Sequence, residues 1–391
     1  MHTWYEQAVF YHIYPLGLLG AEKTNTLTET AHRLTELESW IPHISDLNGS
    51  AIYIGPLFES CTHGYDTKDF RLVDRRLGSN EDFARFVRLC HENGIRVVVD
   101  GVFNHTGREF FAFQDIREKR EASPYKDWYR GVNFGWGSPL GDPFGYEAWQ
   151  GHFELPCLNL WNPEVRQYLF DSIQFWVDNF NIDGIRLDCA NVLDFGFMKE
   201  LREKTSAMKP DFWLMGEVIH GEYNRWVNPE MLHSVTNYEL HKALYSGHND
   251  HNYFEIAHNV RRLEAVGRSL YTFVDNHDED RIASKLNNLA NLFPVYQLLF
   301  TLPGIPSVYY GSEWELKESV PEHPMRSFAR HSTCLTCLEK LRSSRPTSRH
   351  SEKSTQKMTR FTTAPTRNFS SRTPVCFQPV RGTWNRDLRC Q

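Results

Sequence analysis

Eight short runs rich in β-branched and aromatic residues recur along this chain, separated by stretches with helical spacing. That alternation limits the fold more than any other feature. The runs are AVFYHIYP (8–15), AIYIGP (51–56), IRVVVDGV (95–102), GIRLDC (184–189), FWLMGE (212–217), HSVTNYE (233–239), YTFVDNH (271–277) and IPSVYYG (305–311). Between them lie amphipathic segments such as EDFARFVRLCHENG, ending at Gly94, and PEVRQYLFDSIQFWVDNF (163–180), which begins with proline as helices prefer. Eight strand–helix alternations in roughly 310 residues predict an α/β chain folded as a (β/α)8 TIM barrel. A doubly wound open sheet is the alternative, but no Gly-x-Gly-x-x-Gly follows the first run.

One interval breaks the rhythm. Between the third run and Pro163 lies a long stretch rich in Gly, Trp, Tyr, Phe and Asp, including RGVNFGWGSPLGDPFGYEAWQG. It is too long for a plain βα loop and reads as a small inserted domain able to wall a cleft with aromatic surfaces. The expected organisation is therefore barrel over 1–105, insertion over 106–160, barrel again over 161–316, and an atypical tail over 317–391.

The fourth run carries an arginine and an aspartate two residues apart. Period-two alternation puts Arg186 and Asp188 on one face and Ile185 and Leu187 on the other. Alone, such a pair reads equally well as a structural ion pair. The other runs decide the matter. Asp100, Asn104 and His105 close the third run, Glu217 closes the fifth, and His277 and Asp278 close the seventh. In a barrel of this kind the C-terminal strand ends meet at one mouth. A single acid in a strand is usually a satisfied core group; acids at successive strand ends, with two histidines and an arginine, indicate a site. Three converging acids suit glycosidic cleavage: one attacks the anomeric carbon, a protonated one serves the leaving group, and a third stabilises positive charge. Arg186 is expected to hold Asp188 ionised, since an adjacent cation lowers a carboxylate's pKa.

On these residues the sequence resembles the α-amylase family of retaining α-glucoside hydrolases, over roughly residues 8 to 316. DGVFNH, GIRLDCA, GEVIH and FVDNHD resemble its four signature segments in order, LPCLN (155–159) its extra segment, and GIPSVYYGSEW its last strand. The resemblance implies Asp188 as nucleophile, Glu217 as acid/base and Asp278 as transition-state stabiliser. It implies Arg186, His105 and His277 around the first glucose ring, and Tyr65 stacked on that ring with Asp66 beside it. His63 is given no role. Asn104 stands at the family's usual calcium-ligand position, but the Lys-His pair that follows the nucleophile in secreted α-amylases is replaced by Asn191-Val192-Leu193-Asp194. No cofactor is required by this reading, and calcium at Asn104 is left as an open expectation. The departure resembles cyclomaltodextrinases and neopullulanases, which act inside cells on short or cyclic maltodextrins. The implied substrate is an α-glucan oligosaccharide, hydrolysed through a covalent glycosyl-aspartate. The alternatives are a transglycosylase or isomerase of the same family, the weakly active product of a damaged gene, or a non-enzymatic amylase-like barrel. The intact acid set argues against the last.

Charge and cysteine usage bound the partners. The net charge is −6 over 391 residues. From Lys317 onward there are about 15 Lys and Arg against about 5 Asp and Glu, so the acidic body gives no support for nucleic-acid binding. No apolar run approaches the roughly 20 residues that span a bilayer, and the first 15 residues lack a signal-peptide pattern. Cys61, Cys90, Cys157 and Cys189 are scattered and read as reduced thiols of a cytoplasmic protein. The tail, rich in Ser, Thr and Arg, carries a lone CLTC (334–337) too isolated to read as a zinc pair. It reads as disordered, or as an out-of-frame translation, since PMRSFARH back-translates to a shifted frame resembling the family's Asp-x-x-Leu-Arg-Pro segment. On the second reading the chain as written is expected to be marginally stable and weakly active, and thermal unfolding beside a frame-restored version would check it.

Overall fold

The computed structural model of the chain describes residues 3–317. The tail beyond Lys317, with its CLTC, lies outside the described residues. Eight parallel strands form one sheet: β1 (Phe10–Ile13), β2 (Ala51–Ile54), β3 (Arg96–Gly101), β4 (Gly184–Leu187), β5 (Trp213–Gly216), β6 (Ser234–Val235), β7 (Tyr271–Thr272) and β8 (Ile305–Tyr309). Each falls inside the run expected of it. The spatial order is β6-β5-β4-β3-β2-β1-β8-β7. A parallel bridge between Thr236 and Tyr271, with the Asn237 N–H donating to the Tyr271 carbonyl at 2.8 Å, joins the two ends. The sheet is thereby a nearly closed barrel, and the doubly wound alternative is excluded.

Strand alternation sorts the side chains into two layers. Phe10, Tyr53, Val98, Trp213, Met215 and Tyr271 pack together in the interior, with the Phe10 and Trp213 rings stacked at 4.9 Å. Ile52, Ile54, Val97, Val99, Ile185 and Leu187 face outward into the larger core under the helices. Helix α1 (Asn80–Glu92) begins at a capping box of Ser79 and Asp82 and buries Phe83, Phe86, Val87 and Cys90. That i, i+3, i+4, i+7 stripe is what its sequence spacing demands, and each large apolar side chain buried there contributes about 1.5–3 kcal/mol. Helix α2 (Phe111–Lys119) lies in the insertion. Helix α3 (Pro163–Phe180) starts at an Asn162 cap and stops at Asn181 in the left-handed conformation. Helix α4 (Phe195–Met208) is capped by Asp194, whose side chain accepts from the Phe197 N–H.

The insertion is pinned at both ends to the mouth of β3. The Leu158 N–H donates to the Asn104 carbonyl at 2.9 Å, and His105 bridges Cys157. Its own core gathers Phe113, Tyr129, Phe144 and Tyr146. Asp142 ties its loops by accepting from Arg108, Ser138 and Tyr146.

At the opposite end of the barrel, Asp183 opens β4 and is buried. Its carboxylate meets His91 at 2.6 Å, Arg96 at 2.9 Å, Lys209 at 2.9 Å and the Val97 N–H at 2.9 Å. Burial alone would raise its pKa, but these donors, His91 foremost, pull it down to about 2. A depressed carboxylate stabilises the fold above the unfolded value near 4, and that contribution is lost as pH falls toward 2. Asp183→Asn is therefore expected to destabilise the protein by about 3 kcal/mol at neutral pH, the usual scale for breaking a buried pair. Urea unfolding of both forms at pH 7 and pH 3 checks this: the gap should shrink at pH 3.

Candidate active site

The site is built at the C-terminal ends of β3, β4, β5 and β7. Register places Asp100 of β3 opposite Arg186 of β4, and Arg186 opposite Met215 of β5. The ladder then runs one residue beyond the strands: the Asp188 N–H donates to the Gly101 carbonyl at 3.1 Å, and the Glu217 N–H to the Leu187 carbonyl at 2.9 Å. Both acids are thus held by backbone hydrogen bonds, not by loop packing alone.

Arg186 is the hub. It is buried, and its Nη1 donates to Asp100 Oδ1 at 3.0 Å and to Asp188 Oδ1 at 2.8 Å, while Nη2 lies 2.9 Å from Glu217 Oε2. A planar guanidinium with donors on two nitrogens can bridge three carboxylates at fixed angles, which an ammonium cannot. Glu217 Oε2 also accepts from the Cys189 N–H at 3.0 Å. Tyr238 Oη donates to Glu217 Oε1 at 3.4 Å and accepts from Asn276 Nδ2 at 3.0 Å. The amide donor leaves the phenolic proton to point at Glu217.

One cation among several acids changes the expected electrostatics. Asp188 was expected to be held low by Arg186, and the net effect is the reverse. Burial raises its pKa first; Arg186 opposes this, but the charges of Glu217 and Asp100 add to it. Asp278 is raised by desolvation and by Glu217, although its side chain keeps 36% of its surface at the cleft mouth. Burial is the largest cause, and the single charge of Arg186, divided among three carboxylates, does not offset it. With Asp188 as the expected nucleophile, ionised when it attacks, its raised pKa would set the acid limb of kcat/KM above the ordinary carboxylate range. Asp100→Asn removes one of the raising charges, so it is expected to shift that limb to lower pH while kcat falls about tenfold or more from the loosened Arg186. A pH–rate profile of both forms checks the direction; a limb moving up would contradict it.

Around this hub the other expected residues divide. Tyr65 is buried, and its hydroxyl donates to Asp100 Oδ2 at 3.0 Å and lies 2.5 Å from His277 Nε2. Its ring stacks against His277 and lies under the Arg186 guanidinium. His277 Nε2 is also 3.2 Å from Asp278 Oδ2. His105 is buried and stacks on Trp149 of the insertion. Burial, helped by the His63 charge, pushes its pKa down to about 3, so the ring is neutral. Asp66 turns the other way, accepting from the Thr62 N–H at 3.1 Å and Thr62 Oγ1 at 2.7 Å. Those bonds hold the loop that carries Tyr65. His63 steadies the same loop, its Nδ1 accepting from the Tyr65 N–H at 3.2 Å.

The side-chain amide of Asn104 has two recorded partners among the described residues. Its side-chain nitrogen faces His105 Nδ1 at 3.2 Å and Cys157 Sγ at 4.0 Å. Calcium takes about six to eight oxygen ligands, and nitrogen and sulfur neighbours do not suit it. Turning the amide over leaves the same two side-chain neighbours, neither of them an oxygen.

Three contributors had no role in the sequence reading. Asp100 was visible as a strand-end acid, and its alternation with Val99 and Gly101 already turned it inward. Cys189 and Tyr238 gave no signal: the first touches Asp188 Oδ2 through Sγ at 3.1 Å, and the second reaches Glu217 from 21 residues away.

Comparison with known proteins places this geometry in context. The profile described as alpha amylase, catalytic domain, matches residues 24–383. A cyclomaltodextrinase of Thermoanaerobacter pseudethanolicus is 34% identical over 70% of this chain and 49% of its own length. Neopullulanase 2 of Thermoactinomyces vulgaris is 31% identical over 79% of this chain and 57% of its own. The chain spans about half the length of the curated relatives it matches. Among solved structures, the cyclic α-maltosyl-(1→6)-maltose hydrolase from Arthrobacter globiformis superposes with a TM-score of 0.77 at 25% identity, covering 92% of this chain and 83% of that one.

Proposed function

The chain belongs to the alpha-amylase family, and from that premise we propose that it hydrolyses α-1,4-glucosidic bonds of maltodextrins or cyclodextrins with retention. The observation that carries the reading is the single guanidinium of Arg186 holding both Asp188 and Glu217 at the barrel mouth. Asp188 attacks the anomeric carbon as the bond to the leaving oxygen breaks, and Glu217 gives that oxygen its proton. The glycosyl-aspartate ester then meets water, whose proton returns to Glu217 as its oxygen bonds the anomeric carbon and Asp188 departs. Asp278 faces the positive charge that develops at the ring in both steps. Tyr65 offers a flat stacking surface to the sugar, and His105 and His277 offer ring nitrogens to its hydroxyls.

Asp66 serves as a positioning residue for Tyr65 within this reading. No step of the proposed mechanism runs through calcium. A cytoplasmic setting belongs to the proposal and is supported by four unpaired cysteines among the described residues, three of them buried. No helix among the described residues is long and apolar enough to cross a membrane.

Product analysis from maltotriose and a cyclodextrin tests the proposal. Expected are new reducing ends, with the α-anomer formed first. Longer saccharides in place of new reducing ends would show a transglycosylase instead. No reaction with either substrate would overturn the reading.

A further inference from the structure

We propose that the floor of the cleft binds a thiophilic divalent cation of the zinc class between His105, Asp188 and Cys189, and that this ion excludes the glucan. Donor atoms of these three buried residues lie within 4.8 Å of one another. Each is already aimed. Asp188 divides its oxygens, Oδ1 to Arg186 and Oδ2 to Cys189 Sγ at 3.1 Å, so Oδ2 faces away from the competing cation. Cys189 follows β4 in the left-handed conformation, at φ 39°, with its thiol against the carboxylate. His105 Nδ1 faces Asn104, and its buried Nε2 has no hydrogen-bond partner among the described residues. With the Asn104 amide turned over, its oxygen accepts from Nδ1–H and Nε2 keeps a lone pair for the metal, the usual support for a ligating histidine.

The donor set selects the ion. One imidazole, one carboxylate and one thiolate make a three-ligand zinc-type site with a fourth position open to water, and they are wrong for calcium or magnesium. Zinc bonds of about 2.0–2.3 Å put tetrahedral donors roughly 3.3–3.8 Å apart, so closing the present triangle takes side-chain shifts of about 1 Å. Coordination replaces the hydrogen bond from Sγ to Oδ2, and the thiol proton leaves to solvent. Asp100, Asp188 and Glu217 outweigh the one charge of Arg186, which favours a cation there. Binding rests on geometry alone; exclusion of the glucan rests on the proposed role of Asp188 as nucleophile.

The test titrates the full-length chain with cobalt(II), which reports thiolate ligation by a charge-transfer band. The tail holds other thiols, so a variant with Cys334, Cys337, Cys376 and Cys390 changed to serine is titrated beside it. One equivalent with a thiolate band is expected in that variant, and Cys189→Ala in the same background should lose the band. Should Cys189→Ala unfold, Cys189→Val serves in its place, with circular dichroism confirming the fold. Loss of the band in the tail variant, or its survival in the Cys189 variants, would overturn the site. A nonhydrolysable maltooligosaccharide is then added to the cobalt-loaded tail variant. Displacement of the band supports exclusion of the glucan. A band that persists under saturating saccharide would leave the metal site standing and overturn the competition, and with it the placing of the glucan on Asp188.

Discussion

Replacing Asp188 by asparagine is expected to lower kcat on maltotriose by at least about 10,000-fold, the scale on which loss of a nucleophile is felt. The side chain keeps its shape and can still accept from Arg186 Nη1, so the cleft should stay assembled. What disappears is the negative oxygen that would form the proposed ester. The same substitution should not weaken the fold, and the sign follows from the electrostatics. Asp188 has a raised pKa, so its ionised form is disfavoured in the folded state and costs stability above its unfolded value. A neutral asparagine removes that cost at pH 7. The thermal midpoint should therefore hold or rise while turnover vanishes. A fall in midpoint by many degrees would mean that the Arg186–Asp188 pair is chiefly structural.

Glu217→Gln should divide substrates by leaving group. On the proposed mechanism Glu217 hands a proton to the departing oxygen in the first step, which a sugar alcohol needs and an activated phenol does not. Glycosylation from maltotriose should fall by about 1,000-fold or more, and from a nitrophenyl maltooligosaccharide by about tenfold or less. The amide can still accept the Cys189 N–H through its oxygen, so the backbone bond that orients residue 217 is retained. Single-turnover rates for both substrates check this. Equal losses would remove Glu217 from the acid's role.

The barrel could be read from sequence because its strands are buried on both faces. Runs such as RVVVDG need β-branched residues throughout, and Gly or polar turns bracket them. The two shortest strands, Ser234–Val235 and Tyr271–Thr272, are shorter than the runs HSVTNYE and YTFVDNH that hold them. Residues just beyond them, Asn237 and Phe273 to Asp275, are also buried: the Asn237 N–H still reaches the Tyr271 carbonyl while its side chain caps a helix, Phe273 and Val274 pack in the core, and Asp275 accepts from the Ile282 N–H. Burial leaves the same hydropathy signal for both uses.

The acids could be read because each lies at or beyond the C-terminal end of a strand run, and in a parallel barrel those ends share one mouth. Their mutual electrostatics could not. GIRLDC shows one arginine beside one aspartate, and a local reading gives an ionised, stabilised pair. Burial of the strand end turns the shift upward, and the register of β3, β4 and β5 adds to it by bringing Asp100 and Glu217 onto the same guanidinium. Asp66 shows the complementary limit. It stands beside Tyr65 in sequence, yet the tight turn directs its carboxylate to Thr62. Neighbours in a loop need not share a face.

The central claim is a covalent glycosyl-aspartate at Asp188, and mass spectrometry tests it most directly. The enzyme is incubated with a fluorinated α-glucosyl fluoride, which slows hydrolysis of the ester more than its formation, then digested with pepsin. The account predicts one added sugar, on the peptide containing GIRLDC, at Asp188. A sugar on Glu217 or Asp278 would contradict it.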